Sequence, residues 1–113
     1  MIEYWHNPRC SKSRAGLALL QDRGAEVIVR RYLEDAPSAD ELRAVLYRLG
    51  IPAIEMMRQG EARFKELGLS KDTPEEALVQ AIAENPILIE RPVGITADKV
   101  AIGRPPENLL TLL

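Results

Sequence analysis

The chain has 113 residues, and 46% of them are hydrophobic, which is enough for a core without disulfides or a structural metal. Its formal net charge of -2 argues against a nucleic-acid-binding protein, because binding phosphates requires a concentrated basic surface. One Cys and one His cannot complete a metal site without several carboxylates. The chain shows no signal segment and no long apolar run, so we expect a cytoplasmic protein that has no contact with membranes.

The first part of the chain predicts a strand, a helix and a second strand. Residues 2–5 indicate a short apolar strand, and the helix after it is predicted to use Ser11 or Ser13 as its cap and to end at Gly24. The β-branched run at 26–33 predicts the second strand. A helical crossover of this kind makes the two strands parallel.

The middle of the chain predicts only helices, which we expect to form an inserted subdomain over about residues 38–84. Ser38 and Glu41 make a capping box, and the helix they begin should end at Gly50. Two short helices are expected at about 53–58 and 61–67, and a longer one begins at Thr73, its predicted cap, and ends before Asn85-Pro86.

The C-terminal part returns to strands. Residues 87–89 and 93–95, on either side of Arg91-Pro92, and residues 99–102 predict short strands that end in a hairpin, followed by a last helix at 107–112. The order β-α-β, helical insert, β-β-α predicts a single α/β domain over residues 1–113. Its fold would be thioredoxin-like, a four-stranded mixed sheet with the helical insertion between its two halves.

The only cysteine, Cys10, lies where the first strand gives way to the first helix. The first backbone N–H groups of a helix carry partial positive charge and, with Arg9, Lys12 and Arg14 nearby, favour a thiolate over a thiol. The same amides can hold an anion. A lone cysteine is more often a small buried hydrophobic residue, but polar neighbours on both sides favour a reactive one here.

Four residues are candidates for a supporting role: His6, Ser13, Arg14 and Pro92. His6 could lower the pKa of the Cys10 thiol as an imidazolium, could orient the loop by hydrogen bonding, or could have no influence on the sulfur; we favour a supporting role of one of the first two kinds. Ser13 could cap the helix or donate a hydrogen bond to the thiolate, and capping is the more common use of serine at this position.

Four blocks in the same order resemble the glutaredoxin-linked arsenate reductase family, ArsC type, over nearly the whole chain. They are His6-Asn7-Pro8 with Cys10 and Ser13-Arg14; Met57-Arg58 ahead of Glu66-Leu67-Gly68-Leu69; residues 86–92; and Gly103-Arg104-Pro105. The resemblance implies that Cys10 attacks arsenate, that Arg58, Arg91 and Arg104 hold the oxyanion, and that the bond between Arg91 and Pro92 is cis. Guanidinium groups suit this task because they offer paired, charge-assisted hydrogen bonds to a tetrahedral anion.

Reduction through a disulfide requires a second thiol, and the chain has none besides Cys10. The resolving thiol must therefore come from outside. The resemblance implies glutathione as co-substrate, followed by glutaredoxin acting on the mixed disulfide, with no bound cofactor or metal.

Two other functions stay open at this point. Arg9, Ser11 and Lys12 depart from the best-known arsenate reductases and resemble a housekeeping branch of the family, so a related glutathione-dependent thiol oxidoreductase with another substrate is an alternative. An Spx-like regulator that binds RNA polymerase is the other. Those relatives typically carry a Cys-x-x-Cys switch, whereas Ser13 stands here at the second cysteine position.

Overall fold

The computed structural model describes all residues from 1 to 113 and divides into two compact units. We call Met1–Asp35 with Arg91–Leu113 the sheet unit, and Ala36–Glu90 the helical unit. The predicted insertion at about 38–84 falls inside the helical unit. None of the helices is long and apolar enough to cross a membrane.

The sheet unit contains a four-stranded mixed sheet, as predicted. Its strands are β1 (Ile2–Trp5), β2 (Val27–Arg30), β3 (Val93–Ile95) and β4 (Val100–Ile102), in the order β2-β1-β3-β4. β1 pairs with β2 in parallel, while β1–β3 and β3–β4 are antiparallel. The parallel pair requires a crossover, which helix α1 (Ser11–Asp22) provides.

One face of this sheet forms the core of the unit. Because side chains alternate along a strand, Ile2 and Tyr4 of β1 point to the same face. They pack there with Leu20 of α1 and with Leu109 and Leu112 of the C-terminal segment. That segment, Pro106–Leu112, is a 3₁₀ helix whose leucines dock on the sheet as the sequence predicts.

The helical unit is built from amphipathic helices that bury their apolar faces. It contains α2 (Ala39–Leu49), α3 (Ala62–Glu66) and α4 (Glu75–Glu84), with 3₁₀ turns at Ala53–Met56 and Pro86–Leu88. The predicted capping box is present, because Glu41 N–H donates to the Ser38 hydroxyl and Ser38 N–H donates to the Glu41 carboxylate. α2 packs against α4 through buried leucines, valines and an isoleucine.

The predicted strand at 87–89 is wrong. Residues 86–88 form a 3₁₀ turn, because Asn85-Pro86 begins a turn in which Leu88 N–H donates to the Asn85 carbonyl at 2.9 Å. Only Ile89 keeps strand character, in an isolated antiparallel bridge with Met57. The second strand is also shorter than predicted, since the chain turns after Arg30. Local turn hydrogen bonds here outweigh the β propensity of branched residues.

Two predicted helix caps are also wrong. Cys10 is the N-cap of α1, and no side chain caps that helix. Pro74, not Thr73, is the N-cap of α4. The Thr73 hydroxyl instead accepts a hydrogen bond from the Ser70 N–H at 2.9 Å, because the two residues form a local turn before the helix.

We predict that Gly16→Ala destabilises the protein. A methyl group on Gly16 would collide with the Tyr4 hydroxyl and come within 2.7 Å of Leu109 Cδ1. Overpacking of this kind costs about 1–3 kcal/mol. It should outweigh the gain of roughly 1 kcal/mol that alanine brings to a helix interior. Urea denaturation measures the free energy of unfolding.

Gly60→Ala is the matched control for that experiment. A methyl group on Gly60 meets nothing within 4 Å, so its free energy of unfolding should stay within about 0.5 kcal/mol of the wild type. If Gly16→Ala were as stable as Gly60→Ala, α1 would be free to move away from β1, and the close packing described here would be wrong.

Candidate active site

The loop that carries Cys10 is held by its own hydrogen bonds. Cys10 N–H donates to the Asn7 carbonyl at 3.0 Å, and Arg9 N–H donates to the Asn7 side-chain oxygen at 3.0 Å. Arg14, one turn into α1, donates from Nη1 to the Pro8 carbonyl at 2.9 Å. These contacts form a compact turn between β1 and α1, so that the sulfur is held at the first turn of the helix.

Three donors meet the Cys10 sulfur. The backbone N–H groups of Lys12 and Ser13, which are unpaired amides of the first turn of α1, donate to it. The third donor is Arg91 Nε, at 3.2 Å from Sγ. The sulfur is partly exposed, so an external molecule can reach it.

These contacts set the protonation of the thiol. Burial alone raises the pKa of Cys10, but the amide of Ser13, the hydrogen bond from Arg91, the amide of Lys12 and the positive charge of Arg91 together outweigh it. The pKa of Cys10 therefore lies below its ordinary value. Since the thiolate is the nucleophilic form, the environment raises the reactive fraction of Cys10 at neutral pH.

The structure brings one of the three predicted arginines, Arg91, into contact with the cysteine, and a second, Arg104, into contact with the backbone of Arg91. Arg104 Nε donates to the Arg91 carbonyl at 2.8 Å, while the Arg91 side chain reaches Cys10. Both arginines are only half-buried. The bond between Arg91 and Pro92 is cis, as the resemblance implied, and the bond between Arg104 and Pro105 is cis as well.

Arg58, the third predicted arginine, belongs to the helical unit. Its backbone N–H donates to the Leu88 carbonyl at 2.8 Å, and its Nη1 lies 3.1 Å from the Glu61 carboxylate. The guanidinium is thus oriented by an acidic neighbour within its own unit. Its assignment to an oxyanion clamp stays a prediction.

His6 and Ser13 form a buried polar pair behind the cysteine loop. His6 Nδ1 lies 2.7 Å from the Ser13 hydroxyl oxygen, which also accepts the Asn7 N–H at 3.0 Å. The prediction that the Ser13 hydroxyl caps α1 is therefore wrong, because the side chain points inward at the third position of the helix. Ser13 reaches the sulfur through its backbone amide.

The protonation of His6 favours the orienting role. Burial, and then the positive charges of Arg31 and Arg14, hold the pKa of His6 below its ordinary value. A neutral imidazole is therefore the favoured form, and it cannot attract a thiolate as a full positive charge would. Its hydrogen bond to Ser13 can still fix the first turn of α1.

Tyr4 and Asn7 also support the cysteine loop, a role that was not predicted from the sequence. The Tyr4 hydroxyl donates to the Ser13 carbonyl at 2.6 Å, and burial raises the pKa of Tyr4, which keeps the donor proton in place. Asn7 ties three parts of the loop together. Its asparagine-turn chemistry could have been recognised from sequence, whereas the reach of Tyr4 across the sheet face could not.

The chain is similar in sequence to proteins of one family over nearly its whole length. The model of the ArsC family matches residues 5–112. An arsenate reductase of Neisseria meningitidis serogroup A is 44% identical and covers 99% of this chain and 97% of its own length. An uncharacterized Escherichia coli protein, YfgD, is 47% identical over 99% of this chain and 96% of its own length.

A solved structure supports the fold assignment. An arsenate reductase from Vibrio cholerae superposes with a TM-score of 0.94 at 43% identity, covering 99% of this chain and 97% of that one. Together with the observed sheet, this match confirms the predicted thioredoxin-like fold.

We predict that Arg91→Gln raises the pKa of Cys10. The substitution removes a positive charge and a hydrogen-bond donor to the sulfur, both of which favour the thiolate. Titration of the thiolate absorbance in the ultraviolet measures the change. Arg23→Gln, at the far end of α1, is the control and should leave the titration unmoved. An unchanged pKa in Arg91→Gln would show that the helix amides alone hold the thiolate.

We also predict that acidification destabilises the protein through His6. A histidine whose folded-state pKa is depressed binds fewer protons folded than unfolded, so stability falls as the pH drops below the unfolded pKa near 6.5. The free energy of unfolding should therefore decrease between about pH 7.5 and 5.5, above the range where carboxylates titrate. Chemical denaturation in the Cys10→Ser background measures it without interference from the thiol.

Since His6 is the only histidine, His6→Asn in the same background removes this titration entirely. The free energy of unfolding should then vary less with pH between about 7.5 and 5.5. An equal slope in both proteins would assign the acid sensitivity to other groups.

Proposed function

This chain belongs to the ArsC family, and we propose that it reduces arsenate to arsenite with Cys10 as the nucleophile. The proposal rests on the surroundings of the Cys10 sulfur. The sulfur accepts hydrogen bonds from two helix amides, lies 3.2 Å from Arg91 Nε and is partly exposed to solvent. That arrangement suits a thiolate that must attack an anion, because fixed positive charge both ionises the sulfur and offsets repulsion of the incoming substrate.

Arg91 and Arg104 are the residues we propose to bind the oxyanion beside the sulfur. The Arg104 side chain donates to the Arg91 carbonyl, so it lies beside the segment that carries Arg91. Planar guanidinium groups can meet several oxygens of a tetrahedral anion at once. Arg58 is proposed as the third arginine on the family resemblance.

The first chemical step forms a sulfur–arsenic bond. The Cys10 thiolate attacks arsenic, and one oxygen of dihydrogen arsenate leaves as water after taking up a proton from solvent. Arsenic stays pentavalent, because an oxygen ligand has only been exchanged for sulfur. Negative charge builds up on the remaining oxygens, where the arginines stabilise it.

The second step reduces arsenic and requires an external thiol. Its thiolate attacks the Cys10 sulfur, a disulfide bond forms, and the electron pair of the sulfur–arsenic bond passes to arsenic, which leaves as arsenite. Each sulfur is oxidised by one electron, and arsenic gains two. Because Cys10 is the only cysteine, we propose glutathione as this thiol and glutaredoxin as the reductant of the resulting mixed disulfide.

These reactants also set the proposed location. Glutathione and glutaredoxin are kept reduced in the cytoplasm, so the cycle would operate there. All electrons come from thiols in this scheme, and it uses no bound cofactor or metal.

Cys10→Ser should abolish arsenite formation. In an assay with arsenate, glutathione and glutaredoxin, we expect a loss of roughly 1000-fold or more, because a hydroxyl cannot form the adduct or the disulfide. Mass spectrometry should also detect a covalent adduct on wild-type Cys10 that is absent from the variant. If the wild type forms no arsenite at high enzyme concentration, arsenate is not the substrate.

Arg104→Gln separates arsenate reduction from the alternative, a thiol oxidoreductase acting on disulfides. Loss of a charge-assisted hydrogen bond should lower kcat/KM for arsenate roughly 10- to 100-fold. Exchange with the uncharged disulfide 2-hydroxyethyl disulfide should change by less than about twofold, since it offers no anion to bind. An equal loss with both substrates would favour the alternative.

A further inference from the structure

A cleft of about 240 Å³ lies next to the cysteine loop on the sheet unit. Its lining consists of the loop residues before Cys10 and the turn after β2: His6, Pro8, Arg9, Arg31, Leu33 and Glu34. Neither of the two proposed steps of arsenate reduction assigns a role to this cleft. Its lining combines two positive side chains and one negative side chain.

The charges in the cleft have no partners within the chain. Arg9 and Arg31 are exposed, and no hydrogen bond or ion pair engages either guanidinium. Arg30, beside Arg31, differs, because it lies 3.6 Å from the Glu3 carboxylate and 3.4 Å from that of Asp35. Glu34 likewise lacks an ion pair. The cleft thus presents two uncompensated guanidinium groups and one uncompensated carboxylate.

We propose that this cleft binds the γ-glutamyl end of a peptide thiol, the end that carries one carboxylate and one ammonium group. In this arrangement Arg9 and Arg31 face the carboxylate and Glu34 faces the ammonium. The identity of the ligand as the resolving thiol rests on the proposed function. Glutathione is the probe of this class.

The size of the cleft fits part of such a ligand. Sites for whole drug-sized molecules enclose roughly 300–1,000 Å³. A cleft of about 240 Å³ instead holds one end of a tripeptide, which spans roughly 10 Å when extended. The cysteine of such a tripeptide follows the end held in the cleft, and Arg9, which lines the cleft, is the residue before Cys10.

His6 connects the cleft to the sulfur. It lines the cleft, and its Nδ1 lies 2.7 Å from the Ser13 hydroxyl. The backbone amide of the same serine donates to Cys10 Sγ. A thiol anchored in the cleft therefore lies against the residues that hold the nucleophile.

The test uses disulfide exchange with oxidised glutathione, which requires no arsenate. The Cys10 thiolate attacks one sulfur of oxidised glutathione, the mixed disulfide forms on Cys10, and one glutathione leaves as thiolate. In Arg9→Glu and Arg31→Glu, we expect the rate of this exchange to fall roughly tenfold. Arg23→Glu carries the same change of net charge at the far end of α1 and should keep the wild-type rate.

Two further disulfides separate a binding site from general electrostatic attraction. With 2-hydroxyethyl disulfide, which is uncharged, Arg31→Glu should react at nearly the wild-type rate, which also shows that it is folded. Any change in Arg9→Glu with this disulfide reports the effect of its charge on the thiolate and is divided out of its rate with oxidised glutathione. With 3,3′-dithiodipropionate, which carries the same net charge as oxidised glutathione but lacks the peptide, the variants should lose less than about threefold. Equal losses with both anionic disulfides, or no loss with oxidised glutathione, would overturn the proposal.

These experiments distinguish the proposal about the cleft from the proposal that arsenate is the substrate. If the wild type makes no arsenite but the variants lose exchange with oxidised glutathione selectively, the cleft is correct and arsenate is not the substrate. If arsenite is formed, Arg31→Glu should raise KM for glutathione roughly tenfold while KM for arsenate stays unchanged. A wild-type KM for glutathione in that variant would show that the resolving thiol binds elsewhere.

Discussion

The contact between the Arg91 guanidinium and the Cys10 sulfur is the interaction on which the candidate site depends. A thiol held at a helix N-terminus already meets two amides, but the partly buried position works against its ionisation. Arg91 adds both a hydrogen bond and a full positive charge to the same sulfur. The environment then favours the thiolate, the only form of cysteine that can attack an oxyanion or a disulfide.

The architecture of the sheet unit makes that contact possible. The parallel pair β1–β2 requires the α1 crossover, which places the cysteine loop at the carboxyl end of β1. β3 runs antiparallel beside β1, so the segment just before it, which contains Arg91, reaches the same end of the sheet. A nucleophile and its cation, far apart in sequence, are thus neighbours because two adjacent strands run in opposite directions.

Beneath the loop, buried hydrogen bonds keep the first turn of α1 in position. Tyr4 holds the carbonyl of Ser13, and His6 lies beside its hydroxyl, so the serine amide that donates to the sulfur is fixed from two sides. Buried polar groups that are fully paired rigidify a structure, because breaking any one of them leaves an unsatisfied partner. The histidine contributes here as a neutral hydrogen-bonding group.

Hydrophobic period and capping residues are local signals, and they predicted the strand–helix–strand beginning, the capped α2 helix and the location of Cys10 at a helix start. The order of these elements along the chain then predicted the mixed sheet. The packing of the sheet unit, by contrast, turns Ser13 inward and brings Arg91 to the sulfur. It also placed Arg9, Arg31 and Glu34 around one cleft. These features depend on which strands become neighbours and on which hydrogen-bond partners compete. The spacing of residues along the chain does not predict either.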